Sequence, residues 1–191
     1  MRNDLVTLLV AAGFLAGCKN LSDKGAAPAG MSERDFADGL HTVLAADREV
    51  YTKQVVNRLQ NEEKVLKAGE HWKDDKLLPL PAQMFRMGAE RAREKTKGFS
   101  YALLSLWPIN KQNGPHTEAE KAGLKVVADQ PSQNSYTEET LNGVSYLTAV
   151  YPDVAVSEAC VNCHNAHEDS PRKDYKLGDV MGAVVIRVVK R

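Results

Sequence analysis

Five consecutive residues, Cys160-Val161-Asn162-Cys163-His164, restrict what this chain can fold into more than any other stretch of it. Two thiols separated by two residues and followed at once by an imidazole match the C-x-x-C-H attachment signal for c-type haem. The spacing has a mechanical reason. Residues i and i+3 share one side of a helical turn, so both sulfurs can reach the vinyl groups on one edge of a macrocycle, while residue i+4 turns its ring toward the iron. One short segment can thus both clamp the cofactor and ligate its iron.

Two other chemistries use the same residue types. A C-x-x-C pair in an oxidising compartment can be a redox disulfide, but no βαβ pattern surrounds this one. His167 extends the run to Cys160, Cys163, His164 and His167, four ligands that zinc accepts. Closed zinc sites draw their pairs from separated segments, and adjacent Cys163 and His164 close a tetrahedron poorly. Haem is the preferred reading, with His167 a surface or pocket-rim residue.

The remaining cysteine points to export. Arg2 precedes an apolar run, Leu5 to Leu15, too short to span a bilayer and of the length of a signal-peptide core. It ends in Leu15-Ala16-Gly17-Cys18, which resembles the lipobox of bacterial lipoproteins, in which the cysteine is lipidated and becomes the new N-terminus. Residues 1–17 are then a leader, and Cys18 anchors the mature chain at the periplasmic face of a bacterial membrane. Residues 18–31, with Gly25, Ala26, Ala27, Pro28, Ala29 and Gly30, read as a flexible tether reaching roughly 20 Å. Export suits the motif, because covalent haem attachment in bacteria takes place outside the cytoplasm on reduced thiols.

The 191 residues suffice for one domain with a proper core, from 32 to 191. With 25 basic and 25 acidic side chains the formal charge is zero, so a nucleic-acid partner has no electrostatic footprint here. Ser32 is placed to cap a long helix running to about Lys67, with Phe36, Leu40, Val43, Leu44, Val50, Val55 and Leu59 as its apolar stripe and His41 on its flank. Pro79 and Pro81 hold the following loop extended, and a second helix covers about Ala82 to Lys95, stopped by Gly98. Phe99 to Trp107 is apolar on both alternating faces and reads as a central strand. Thr117 and Glu120 form a capping box before a short helix. Strands follow at Val144–Tyr151 and Met181–Val189, a weaker one at Ser135–Glu138, and Gly178-Asp179 turns the chain into the last. The motif falls between the two strong strands. Helices at the front and antiparallel-looking strands behind predict an α+β fold.

The haem motif, Pro79-Leu80-Pro81, Gly178-Asp179-Val180-Met181-Gly182 and the long first helix together resemble the PAS-like c-type haem domains, found as free exported proteins and as periplasmic sensor regions of histidine kinases and chemoreceptors. The resemblance covers Ser32 to Arg191. It implies an antiparallel sheet of about five strands flanked by helices, with one covalent haem between sheet and helices. It also implies a sixth iron ligand from the N-terminal helical region, in relatives sometimes a cysteine. This chain has no thiol left for that position, since Cys160 and Cys163 go to thioethers and Cys18 to lipid. With His164 as the proximal ligand, the candidates are His41, His71, Met84 and Met87. Arg172 and Arg86 are candidate partners for the propionates.

The sixth position separates two functions. A weakly held or open site suits a redox or small-ligand sensor whose long helix relays the change, with its output on another protein, since the last expected strand ends at the C-terminus. Two strong ligands suit a periplasmic electron carrier. No acid–base or nucleophile constellation accompanies the motif, so catalysis is not expected.

Overall fold

One antiparallel sheet organises the domain, and its strand order is what periodicity leaves open. In the computed structural model, which describes residues 30–190, β1 (Phe99–Leu104), β2 (Ser135–Leu141), β3 (Val144–Val154) and β4 (Val180–Val189) lie in the order β1-β4-β3-β2. The fold is α+β as expected, and among the described residues the sheet has four strands where about five were expected. The expected leader, Cys18 and most of the tether lie outside the described residues. Among the described residues no helix is long and apolar enough to cross a membrane.

β4 is one of the two inner strands, paired with β1 on one side and β3 on the other. Its Ala183 and Val185 pack on one face with Leu124, Val127 and Val150. Its Val184, Ile186 and Val188 pack on the other with Phe85, Ala89 and Tyr101. This two-residue alternation of two apolar sets is how a strand covered on both faces is built. β1 was expected to be central and to run to Trp107, but it is an edge strand that ends at Leu104. Its apolar residues report covered faces, and face burial says nothing about edges. The Ser105 side chain turns the chain away, its hydroxyl donating to Met181 O at 2.7 Å and accepting from Trp107 N at 2.9 Å. β2 runs three residues beyond its expected end and joins β3 through Asn142-Gly143, whose φ values of 50° and 80° make the tight left-handed turn that suits a two-residue hairpin.

The helices cover both faces. α1 (Glu33–Val50) and α2 (Pro81–Lys95) pack on one, and α3 (Glu118–Asp129) packs on the other. Ser32 caps α1 by accepting from Asp35 N at 3.0 Å, and Thr117 with Glu120 forms the expected capping box on α3. α2 starts at Pro81, whose missing N–H costs nothing at the first helical position. It ends against extended Thr96, two residues before the glycine expected to stop it.

The long first helix departs from expectation in winding and in facing. From Tyr51 to Glu62 it continues as a π-helix, with Glu63 N donating to Arg58 O five residues back at 2.9 Å. Thr52 takes part in the change of winding, since its hydroxyl bonds back to Arg48 O at 2.7 Å. The run stops at Glu62, five residues short of Lys67, and Lys64 beyond it has φ 57°. Val43 and Val50, assigned to the apolar stripe, are more than half exposed. Phe36, Leu40 and Leu44 of the expected stripe do pack against the core, and Ala37, His41, Arg48, Thr52 and Val56 also lie on the inward side. Three polar residues, His41, Arg48 and Thr52, therefore face the interior.

Candidate functional site

The motif forms its own helix, α4 (Glu158–Ala166), in the connection from β3 to β4. Ser157 precedes it in extended conformation, and its carbonyl accepts from Cys160 N at 3.1 Å. Glu158 in the first turn meets the positive end of the helix dipole. The helix stops at His167, whose N–H bonds Cys163 O at 3.0 Å. Val161 anchors it in a small core with Ala155, Tyr175 and Met181, and Cys160 packs against that cluster. Beyond the helix, Asn165 clasps the return segment, donating to Tyr175 O at 2.9 Å and accepting from Tyr175 N at 3.0 Å. Gly178, at φ 84°, makes the expected turn and ties the segment to the end of β3 through Gly178 N to Ala155 O at 3.0 Å.

Helical winding puts Cys160 and Cys163 one turn apart, with His164 next in line. Both thiols are free; Cys160 is half-buried and Cys163 exposed. Partial desolvation, then the Glu70 carboxylate and Cys160, push the Cys163 thiol above its ordinary value, so it stays protonated near neutrality. His164 is half-buried, and burial pulls its imidazole below the usual range against the opposing pull of Asp153. It is thus neutral and has a lone pair to offer. Its Nδ1 is buried with no hydrogen-bond partner, and its ring meets Tyr175 edge-on at 5.9 Å between centroids. Two soft sulfurs on one side of a helix, with a neutral imidazole one residue on, fit a thioether-bound haem.

Among the described residues no three His, Cys, Asp or Glu side chains converge as a metal cluster. His167 is turned elsewhere, its Nε2 3.2 Å from Glu70 Oε1 and its Nδ1 accepting from Asp169 N at 3.1 Å. That is not how a closed zinc site is assembled.

The four sixth-ligand candidates fall in different places. His41 is half-buried on the sheet-facing side of α1 and stacks on Tyr151 at 4.0 Å between centroids, with planes within 7°. Burial lowers its basicity, and the carboxylates of Asp38 and Asp153 oppose that shift. Asp153 therefore acts on both His41 and His164. His71 is exposed at the head of a turn, its carbonyl accepting from Asp74 N and Asp75 N at 3.0 Å each. Met84 and Met87 are half-buried on α2. Arg172 is engaged by Asp174 and Asp179 at 2.7 and 3.2 Å and lies over the Tyr175 ring at 4.4 Å. Arg86 is exposed beside Glu90 at 3.6 Å.

The residue that sequence reasoning missed is Arg48. Its guanidinium pairs with Asp153 through two contacts between α1 and the end of β3, and its charge reaches Cys160. Burial works against its charge, but Asp153 more than restores it. An inward arginine breaks an apolar stripe, so the pattern concealed it; its spacing of seven from His41 was the available signal. Next to the motif, a groove of about 450 Å³ separates the π-helical stretch from α4, with Asn57, Gln60 and Asn61 opposite Asn162 and Cys163. A larger concavity of about 680 Å³ lies along β1 and α2 and includes none of the motif residues.

Fold and site together define an α+β domain that presents a C-x-x-C-H helix between its last two strands. The Tll0287-like family model matches residues 29–189, nearly the whole chain, and the chain belongs to that family of cytochrome c-like domains. Membership points to haem binding. A search of curated proteins finds no match.

Proposed function

We propose that this chain is an exported, lipid-anchored c-type haem protein of PAS-like build that senses redox state or a small ligand. Cys160 and Cys163 hold one haem through thioethers, and His164 is its proximal ligand. When bound, the iron supplies a one-electron couple and, where the sixth position is open or weakly held, a site for a diatomic ligand. The observation that carries the reading is the half-buried imidazole of His164 placed directly after two cysteines that share one short helix and form no disulfide.

Sensing is favoured by what lies across the groove. The π-helical stretch Tyr51–Glu62 faces α4 there, and π-helical turns inside helices occur frequently at functional sites because the winding is strained and can change. A change in ligation that alters contacts along His41 and Arg48 has a helix to act on, and differential contact of that kind is what a switch requires. A second reading, a low-spin electron carrier, is favoured by His41, which is neutral and shares the field of Asp153 with His164. His41 leads the candidates for the sixth ligand, ahead of His71, Met84 and Met87.

A pyridine haemochrome spectrum with EPR of the oxidised protein tests attachment and ligation in one sample. Carbon monoxide binding to the reduced form at micromolar levels supports sensing, whereas refusal of CO by a low-spin haem supports electron transfer. Export and anchoring through Cys18 are tested by Cys18→Ser, which moves the protein out of the membrane fraction if the reading holds.

A further inference from the structure

Among the described residues, two buried side-chain polar atoms have no hydrogen-bond partner, His164 Nδ1 and Tyr175 Oη. They belong to rings in contact, perpendicular and 5.9 Å apart. Tyr175 is only 3% exposed, so its hydroxyl cannot reach bulk water, and an unpaired group in such a place bears its full desolvation cost. The ring is not loosely placed. Asn165 holds both of its backbone groups, and the Arg172 guanidinium covers one face. If this position required only an apolar filler, phenylalanine would serve without the cost of the hydroxyl.

The neighbouring polar groups are committed elsewhere. Asn165 is used by the Tyr175 backbone, Arg172 by Asp174 and Asp179, His167 by Glu70 and Asp169, and Asp153 by Arg48. Resting on the haem reading above, we propose that Tyr175 is the positioning residue of His164. A buried water held by Tyr175 Oη accepts the Nδ1 proton of His164. One water satisfies both atoms, as buried waters do for polar groups that cannot meet directly. The bond selects the tautomer that leaves Nε2 free for iron, fixes the ring orientation and raises the basicity of the ligand. A more basic proximal ligand favours the oxidised iron.

The test compares the haem-loaded wild type with Tyr175→Phe and, in parallel, the same two chains without haem. In the haem-free wild type, nitrogen-15 NMR of His164 is expected to show one tautomer, protonated at Nδ1, with an exchange cross-peak to a long-lived water. Tyr175→Phe is expected to lose the water signal and to mix the tautomers. In the loaded variant the preference for ferric over ferrous iron falls about tenfold, which is an upward potential shift of about 59 mV, at unchanged haemochrome yield. Phenylalanine has nearly the same shape, so circular dichroism should not change. An unaltered tautomer and potential in Tyr175→Phe, or an Nε2-protonated His164 in the haem-free wild type, overturns the proposal. A chain that never takes haem overturns the reading beneath it instead, while the haem-free spectra still judge Tyr175.

Discussion

Two polar clusters among the described residues, one on the α3 face and one beside α4, are built differently. On the α3 face, Arg187 reaches Glu120 at 2.8 Å and Glu139 at 2.9 Å. Glu139 also accepts from Thr148, and Glu120 accepts from the N–H groups of His116 and Thr117. Every member is paired, so the cluster joins α3 to three strands and has nothing left over. At the α4 end, by contrast, Arg48 and Asp153 are paired and Cys160 Sγ lies 3.2 Å from Ser157 Oγ, while His164 Nδ1 and Tyr175 Oη have no partner. A saturated polar network specifies a fold. An unsaturated pair needs a further partner, which is the role given above to a buried water between Tyr175 and His164.

This contrast predicts separable consequences, the largest of them at the thiols. Replacing Cys160 and Cys163 by alanine should abolish covalent pigment altogether while changing the urea-unfolding free energy of the haem-free chain by about 1 kcal/mol or less. A comparable loss of stability would mean that the cysteines serve the fold. Arg187→Ala is the reverse case. It leaves two buried carboxylates without their cation and should cost about 3–5 kcal/mol in urea unfolding, with the Soret band of the remaining folded protein unmoved.

Gly123→Ala tests the same face by crowding. A Cβ there would meet Val150 Cγ2 at 2.5 Å, and the overpacking should cost about 1–3 kcal/mol, read as a lower midpoint at constant slope. The smallest effect concerns acid. Burial alone would raise the Glu139 carboxyl, but the bonds from Thr148 and Arg187 outweigh it and hold the carboxyl below its ordinary 4.5. A carboxyl lowered in the folded state contributes stability that is complete above that ordinary value and is lost as pH falls through the folded one. Glu139→Gln should therefore flatten the loss of stability below about pH 4.5, and an unchanged acid limb would remove Glu139 from the account.

How much of this could be read from the chain differs by kind of signal. Local signals were legible: Ser32 and Thr117 as caps, Gly178 as a turn, and the thiols with His164 as one helical unit, because each depends on neighbours in sequence. The Asn142-Gly143 hairpin rests on an equally local signal, an Asn-Gly pair between two strands. Long-range facts were not legible. Whether β1 lies at an edge depends on which strands return beside it, and the run Phe99–Trp107 looks the same in either place. Arg48 was hidden because its partner Asp153 lies 105 residues away, and without that partner an inward arginine has no reason. Val43 and Val50 lie in the regular α1, and their exposure is hidden from periodicity because polar His41 and Arg48 take inward places that an apolar pattern does not count.

The central claim is that positions 160 and 163 carry a porphyrin through sulfur, and intact-mass spectrometry of the denatured protein tests it most directly. Purified from a host competent in cytochrome maturation, the chain should retain the mass of one haem under denaturing acid conditions, with neither motif thiol open to alkylation. A colourless chain of unmodified mass, with both thiols alkylated, would contradict the account.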